Sequence, residues 1–219
     1  MAPVYYTWAL IDRHNGAIRG SSVATTNYSN STVKIWLAAD YLRRLGAAQP
    51  ADDIRHQLSI MIRDSDNAAA DMFWKLNGKD AGMTRMISMC HLTDTTMFPG
   101  WWSMTRISAR DLARLGLCVA DGTASGPTWR DWIIDEMRSV RGSGLFGIKP
   151  VLPAADASQV AIKNGWYSHN DGRWRVNCLG VHPDWSLAIL TSYPASLGFN
   201  YGVKACENVT RQVLGLVAP

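Results

Sequence analysis

The sequence predicts an α+β fold, an α/β sandwich in which helices flank a five-stranded antiparallel sheet and an all-helical lobe is inserted. Strand-like patterns occur near the two ends of the chain, two at the N-terminus and three at the C-terminus, with a block of helical patterns between them. Strands at opposite ends of a chain most simply share one sheet. We therefore expect a single domain of 219 residues, with a sheet subdomain at 1–30 and 142–219 and a helical lobe at about 31–141.

An N-terminal hairpin is predicted by two alternating stretches on either side of a turn signal. These are YYTWALID (5–12) and IRGSSVATT (18–26). The intervening RHNGA contains Asn-Gly, a pair typical of tight hairpin turns.

The helix that follows, 31–45, is predicted to lie at the centre of the domain because it has apolar residues on almost every side, and Gly46 ends it. Between 51 and 141 we expect only helix and loop. The helical patterns are DDIRHQLSIMIR, NAAADMFWKL, SARDLARLGLCVA and SGPTWRDWIIDEM.

Three strands and a closing helix are predicted for the C-terminal part. The strands are QVAIKNGWY (159–167), WRVNCLGVH (174–182) and SLAILTSYP (186–194), and the helix is YGVKACENVTRQVLGLV (201–217).

Charge and composition argue against several classes of function. The net charge of +4 comes from 22 basic and 18 acidic residues spread along the chain, whereas a nucleic-acid surface concentrates cations beside stacking aromatics. No apolar run approaches the roughly 18 residues of a membrane span. We therefore expect no nucleic-acid partner and no membrane span. A monomer is our expectation as well, although neither charge nor hydropathy determines the oligomeric state. We also expect no metal, since the cysteines form no CxxC pair and no cluster with histidine.

The four cysteines, Cys90, Cys118, Cys178 and Cys206, allow two interpretations. An even number permits disulfides in three possible connectivities, and buried free thiols are equally consistent with the spacing. No signal-peptide pattern precedes the first strand. We expect either an intracellular protein or an exported one whose export segment lies outside this sequence.

The segment GSGLFG (142–147) matches the dinucleotide-binding pattern G-x-G-x-x-G, but in the wrong context. That pattern requires a strand before it and a helix after it. Here a helical pattern precedes it, and Pro150 and Pro153 follow it. We therefore expect a flexible link and no nucleotide site.

The stretch NSTVKIW (30–36) opens the buried helix and contains S-x-x-K at Ser31 and Lys34. One interpretation is that Ser31 only caps the helix, since Ser, Thr and Asn are favoured at helix starts. The other is that Ser31 is a nucleophile. Residues three apart share a helix face, so Lys34 can act as its base if the pKa of Lys34 is lowered. Capping by Asn30 would leave the Ser31 hydroxyl free.

Two further short motifs carry residue types that such chemistry needs. SDN (65–67) lies between two helical patterns, where it is equally suited to cap the second helix. KNG (163–165) could be a turn, although its apolar flanks favour a continuous strand. A glycine inside a strand often marks the close approach of another backbone or a ligand.

Taken together, in the order S-x-x-K, S-x-N and K-x-G, the motifs resemble those of the penicillin-recognising serine hydrolases, the class A β-lactamases and D-Ala-D-Ala peptidases. The resemblance spans nearly the whole chain but lacks the helix that usually precedes the first strand. KNGWYSHNDGRWRVN (163–177) is most similar to exported β-lactamase-like serine hydrolases of actinobacteria. The resemblance implies a β-lactamase/transpeptidase-like fold and an extracellular or cell-envelope location, with a phage-associated wall-processing protein as the alternative.

The resemblance also implies catalytic roles. Ser31 attacks a carbonyl or lactam, Lys34 accepts its proton, and Ser65 relays a proton to the leaving nitrogen. Asn67 orients Lys34 and hydrogen-bonds the substrate amide. Lys163 lowers the pKa of Lys34 and attracts a substrate carboxylate.

Substrate contacts are implied for Asn164, Gly165 and Trp166. The backbone N–H groups of Ser31 and Trp166 would form an oxyanion hole. No cofactor is implied.

Two departures from the family's pattern bear on activity. Asn164 stands where K-T-G has threonine, and TTMFPGWWSMTRIS (95–108) lacks the acid that activates the deacylating water in class A enzymes, with Asp94 just outside it. The sequence therefore predicts a serine hydrolase that acts on β-lactam-like or peptidoglycan stem-peptide D-Ala-D-Ala amides and deacylates weakly. The alternative is a catalytically silent cell-wall binding or scaffold module.

Overall fold

The computed structural model describes residues 4–216. The strands are β1 (Tyr5–Asp12), β2 (Ile18–Ser21), β3 (Thr26–Tyr28), β4 (Arg106–Ser108), β5 (Ala161–Ile162), β6 (Gly165–His169), β7 (Arg173–Val181) and β8 (Trp185–Pro194). The helices are α1 (Lys34–Leu45), α2 (Asp52–Arg63), α3 (Asn67–Leu76), α4 (Asp80–Met89), α5 (Ala109–Ala120), α6 (Pro127–Arg138), α7 (Ala154–Gln159) and α8 (Phe199–Val213).

One antiparallel sheet joins the two ends of the chain, as predicted. Its order is β2-β1-β8-β7, and the outer edge of β7 pairs with both β5 and β6. The predicted fifth strand is therefore interrupted, because Lys163 and Asn164 lie outside both segments. The interruption falls within the KNG motif, although Lys163 N still donates a hydrogen bond to Leu179 O of β7 (3.0 Å).

Helices pack on both faces of this sheet. On one face, α1 lies at the centre of a core shared with α2–α6, and every residue of α1 from Lys34 to Asp40 is buried, as its apolar pattern predicted. On the other face, α8 packs against β7 and β8 around Val176, Ile189 and Cys206. Within residues 4–216, no helix is long and apolar enough to cross a membrane.

A small second sheet was not predicted. β3 pairs with β4, with Tyr28 opposite Arg106, where the sequence suggested a longer strand ending at Thr26 and only helix and loop around Arg106. A three-residue strand is too short to show a two-residue alternation. The pairing matters for the site because it continues into a hydrogen bond from Ser29 N to Thr105 O (2.8 Å), two residues before Ser31.

All four cysteines form disulfides, so the interpretation as free thiols is wrong. Cys90–Cys118 joins the end of α4 to α5, and Cys178–Cys206 joins β7 to α8.

The segment 142–147, predicted to be a flexible link, is packed against the sheet. The carbonyls of Gly144 and Phe146 accept hydrogen bonds from the Asn164 side chain at 3.0 and 2.8 Å. Gly147 is buried beside Cys178, where a Cβ would lie 2.6 Å from the sulfur. The glycines therefore allow this segment to pack closely against the sheet.

Candidate active site

A cleft of about 640 Å³ brings together residues that lie far apart in the sequence. Ser31 from the start of α1, Asn67 from α3 and Trp166 from β6 all line it. The volume is typical of small-molecule sites. Lys34, Ser65 and Lys163 are linked to this lining by hydrogen bonds.

Ser31 lies in a 3₁₀ turn, Asn30–Val33, that leads into α1. The Asn30 side chain does not cap the helix, contrary to the prediction. Its amide donates to Arg175 O (3.3 Å), and its Oδ1 hydrogen-bonds His169 Nε2 (3.1 Å). Asn30 has a φ of 50°, a left-handed conformation that asparagine tolerates. Within residues 4–216, no hydrogen-bond partner is found for the Ser31 hydroxyl, which leaves it free to face the cleft.

Lys34 is fully buried and held by the SDN motif. Its Nζ donates to the backbone carbonyl of Ser65 and to Asn67 Oδ1 (2.7 Å), and lies 3.4 Å from Ser65 Oγ. Burial lowers the pKa of Lys34 to about 7, although the carboxylates of Asp66 and Asp71 raise it. A large fraction of this amine is therefore neutral near pH 7 and able to accept a proton.

Lys163 is also fully buried, and its Nζ donates to Ser65 Oγ (2.9 Å) and to Asn164 O (2.9 Å). Burial and then the nearby charge of Lys34 hold the pKa of Lys163 well below its usual value. Burial is the largest cause of the lowered pKa of Lys34, and the repulsion between the two amines acts on both of them. Lys163 is not among the residues found to line the cleft, and its predicted contact with a substrate carboxylate stays a prediction.

The SDN motif caps a helix, as one interpretation predicted, and its catalytic role stays a prediction. Asp66 caps α3 by accepting a hydrogen bond from Ala69 N (2.7 Å). Ser65 has a φ of 61°, an uncommon conformation for a non-glycine residue. Its hydroxyl lies within hydrogen-bonding distance of both lysines, so Ser65 is placed to pass a proton between them.

The glycine of KNG lies against the backbone of the nucleophile turn. A Cβ on Gly165 would lie 2.6 Å from Ser31 N and 2.9 Å from Thr32 N. This is the close backbone approach that a glycine inside a strand indicated. On β7, opposite Gly165, the Asn177 amide donates to Tyr28 O (2.7 Å) and Ser29 O (3.4 Å) and so fixes the chain just before Ser31.

The Asn164 side chain, for which a substrate contact was predicted, packs against the segment 142–147. It is fully buried, and its amide donates to the carbonyls of Gly144 and Phe146. The side chain therefore holds the segment 142–147 in place and lies outside the cleft lining.

One carboxylate of the cleft was missed in the sequence. Asp71 lies one helical turn after Asn67 on α3 and lines the same cleft as Ser31. Its Oδ1 accepts a hydrogen bond from Trp102 Nε1 (2.7 Å), and the Trp102 ring centroid lies 5.2 Å from Lys34 Nζ. The available signal was the spacing of four residues after Asn67, which places both side chains on one helix face.

Asp94, the acid considered at the sequence level, lies elsewhere. Its carboxylate accepts hydrogen bonds from Ser108 Oγ (2.8 Å) and from Arg110 (2.7 Å). Neither Asp94 nor these partners lines the cleft. Within residues 4–216, no group of three or more His, Cys, Asp and Glu residues is placed to hold a metal ion.

A family model described as the beta-lactamase enzyme family matches residues 47–215. The matched range covers more than half of the chain and contains the SDN and KNG motifs, and it begins after Ser31 and Lys34.

Curated relatives and solved structures are similar to different extents. The protein named "Putative lipoprotein LppW" of Mycobacterium tuberculosis (strain H37Rv) is 28% identical over 180 residues, which are 79% of this chain and 57% of that protein. The same values hold for the protein of that name in Mycobacterium bovis. The chain thus spans little more than half the length of the curated relatives that it matches.

Three solved structures illustrate the similarity of the fold. An ancestral class A beta-lactamase of Gram-negative bacteria has a TM-score of 0.77 and 15% identity, covering 97% of this chain and 94% of its own. PBP-A has a TM-score of 0.77 and 19% identity, with coverage of 97% and 89%. A beta-lactamase from Desulfarculus baarsii has a TM-score of 0.71 and 16% identity, with coverage of 98% and 93%.

Proposed function

The chain belongs to the beta-lactamase enzyme family, and on that premise we propose that it is a serine hydrolase that forms an acyl-enzyme on Ser31. The observation that carries the proposal is the pairing of a free serine hydroxyl in a cleft with a buried lysine three residues on, whose pKa is lowered to about 7. Residues three apart share a helix face, and a neutral amine that can reach a serine hydroxyl activates it as a nucleophile.

In the acylation step, Ser31 Oγ attacks the carbonyl carbon of an amide, ester or lactam. Its proton passes to neutral Lys34, whose position is set by Asn67 and by the Ser65 carbonyl. The bond to the leaving nitrogen or oxygen then breaks, and the leaving group takes a proton from Ser65. Ser65 is replenished through Lys34 or Lys163, since both amines approach its Oγ.

The developing negative charge on the carbonyl oxygen would be stabilised by the N–H groups of Ser31 and Trp166. The close approach of Gly165 to the Ser31 backbone supports this pairing, because it brings β6 alongside the nucleophile turn. Donors of this kind contribute about 3 kcal/mol each to transition-state stabilisation.

For deacylation we assign Asp71 as the base that activates the water. Its carboxylate lines the cleft, and Trp102 holds one of its two oxygens. The other cleft carboxylate, Asp171, is paired with Arg175 through two hydrogen bonds. Asp71 is therefore the better placed of the two to accept a proton.

We further propose that the protein acts in the cell envelope. The two disulfides support this location, because disulfides persist in oxidising compartments. The name of the mycobacterial relative, which describes a lipoprotein, supports it as well.

A second candidate function is a binding module without turnover. The observation that favours it is that Lys34 donates to Ser65 and Asn67 and no hydrogen bond joins it to Ser31 within the described residues. Such bonds are often long before substrate binds, so acyl transfer remains our proposal.

The test is to follow the intact mass of the protein over time with a fluorescent penicillin and, separately, with an uncharged activated ester. We expect a covalent adduct with wild type and none with Ser31→Ala. Ser103→Ala, which removes another hydroxyl from the same cleft, is the matched control and should still be acylated. The absence of any adduct with wild type would contradict the proposal and favour the binding module.

A further inference from the structure

The cleft around Ser31 has an aromatic wall and rim. Its aromatic lining residues are Tyr28, Phe98, Trp101, Trp102, Trp166 and Tyr167. Three of them are open to solvent, Phe98 at 43%, Trp101 at 61% and Tyr167 at 58% exposure. Large apolar side chains left exposed together around a cavity indicate a surface that is covered when a ligand binds.

The same cleft offers no free cation to a substrate. None of the residues found to line it is Lys or Arg, and both Lys34 and Lys163 are completely buried. Two guanidinium groups lie over the ring of Tyr28, which lines the cleft. That of Arg175 is engaged by Asp171 and by Asn27 Oδ1 (2.9 Å). That of Arg106 donates to Thr26 Oγ1 (3.2 Å) and to Thr26 O (3.3 Å).

The remaining groups of the cleft also disfavour a negatively charged substrate. Burial, and then the charge of Arg175, lower the pKa of His169, so this cleft histidine is neutral at pH 7. The lowered pKa values of Lys34 and Lys163 reduce the positive charge beneath Ser31. Asp71 adds a carboxylate that would repel another. The amide of Asn164, which could have bound a carboxylate, is turned toward Gly144 and Phe146.

We infer that the cleft selects uncharged acyl donors, esters or amides whose acyl group is apolar, over donors that carry a carboxylate. This inference rests on the proposed acyl transfer to Ser31 and names its substrate class. It departs from the β-lactam and stem-peptide substrates expected from the sequence, which carry a carboxylate.

The reaction with such a donor is balanced without a co-reactant other than water. The Ser31 Oγ–carbonyl bond forms as the ester C–O bond breaks, and the serine proton reaches the leaving alcohol through Lys34 and Ser65. Water then attacks the acyl-enzyme, Ser31 recovers its proton, and a carboxylic acid leaves. The product ionises in a cleft that contains Asp71, so charge repulsion favours its release.

The test compares three p-nitrophenyl esters with six-carbon acyl groups, namely hexanoate, the adipate monoester with its free carboxylate, and 6-aminohexanoate. Rates are corrected with Ser31→Ala, and the adducts are weighed by mass spectrometry. We expect kcat/KM for hexanoate to exceed that for the adipate monoester at least tenfold. Trp101→Ala should lower the hexanoate value at least threefold, and Trp101→Arg should raise the adipate value at least threefold. Tyr6→Ala removes an exposed aromatic side chain of β1 outside the cleft and should change kcat/KM for neither ester.

The outcomes separate this inference from the proposal beneath it. Ser31-dependent turnover that favours the adipate monoester, or treats it equally, would overturn the inference and leave the acyl-enzyme mechanism standing. Preference for 6-aminohexanoate over hexanoate would also overturn it, because Asp71 would then select a cation. Rates identical in wild type and Ser31→Ala, with no adduct for any ester, would overturn both. A preference for hexanoate that Trp101→Ala leaves unchanged would contradict the role of the aromatic rim.

Discussion

Gly165 lies so close to Ser31 that a single methyl group on the glycine would stand 2.6 Å from the serine backbone nitrogen. This contact joins the edge strand of the sheet to the turn that begins the central helix. It links K-x-G to S-x-x-K, which are more than 130 residues apart. The backbone of β6 therefore sets the position of the nucleophile, while the Gly165 position itself has no room for a side chain.

We predict that Gly165→Ala lowers the rate of Ser31 acylation by about 100-fold, because displacing reacting groups by about 1 Å costs on that order. The measurement is adduct formation followed by intact mass. Gly144→Ala is the control, since the nearest neighbours of its Cβ would be the Val140 side chain at 3.3 Å and the Trp166 ring at 3.8 Å, and neither is a backbone atom. Equal acylation of the two variants would show that the close approach of β6 does not position Ser31.

The pH dependence of acylation should follow Lys34. The base is the neutral amine, whose fraction rises with pH through its pKa of about 7, so the rate should rise with a midpoint near pH 7 and level off above it. Asp66→Asn should move the midpoint to lower pH, because the Asp66 carboxylate raises that pKa. Asparagine also caps helices, so α3 should remain intact. A midpoint that stays in place or rises would argue against Lys34 as the base.

Asp71 should act after acylation. Asp71→Asn keeps the shape of the side chain but removes the base, so we expect deacylation to slow by about 100-fold or more and the acyl-enzyme to accumulate. Acylation itself should continue. The matched control is Asp171→Asn, which changes the other carboxylate of the cleft. The deacylation rate is measured in single-turnover experiments. If both variants deacylate at the wild-type rate, another group activates the water.

The parts of the fold that could be predicted are those whose signal is local. The strand-like stretches that form β1 and β8 and the all-round apolar pattern of α1 are signals that a short window of sequence reveals. The three motifs, in their order along the chain, pointed to Ser31, Lys34 and Ser65. They did so because each motif combines a predicted helix or strand with the residue types that the proposed chemistry needs. The division into a sheet subdomain and a helical lobe stays a prediction.

What the sequence missed depends on contacts between distant segments. The pairing of β3 with β4 joins residues about 80 positions apart. The side chain of Asn164 could have faced the cleft, and only the position of the carbonyls of Gly144 and Phe146 shows that it does not. Asp71 lies on an ordinary helix, and only the fold brings Trp102 and the cleft to it.

The two disulfides should stabilise the fold equally but affect the site differently. Both have a sequence separation of 28 residues, for which loop-closure entropy predicts a contribution of about 3–4 kcal/mol. We therefore expect the serine double variants of Cys90–Cys118 and Cys178–Cys206 to lose similar free energies of unfolding in urea.

Acylation should slow more in the Cys178–Cys206 variant, because Cys178 follows Asn177, whose amide holds the chain before Ser31. The Cys90–Cys118 variant serves as its control for stability. Equal slowing of acylation in the two variants would contradict the proposed effect on the site. A loss of unfolding free energy below about 1 kcal/mol in either variant would contradict the predicted stabilisation, since the smallest loss expected for such a loop is about 2 kcal/mol.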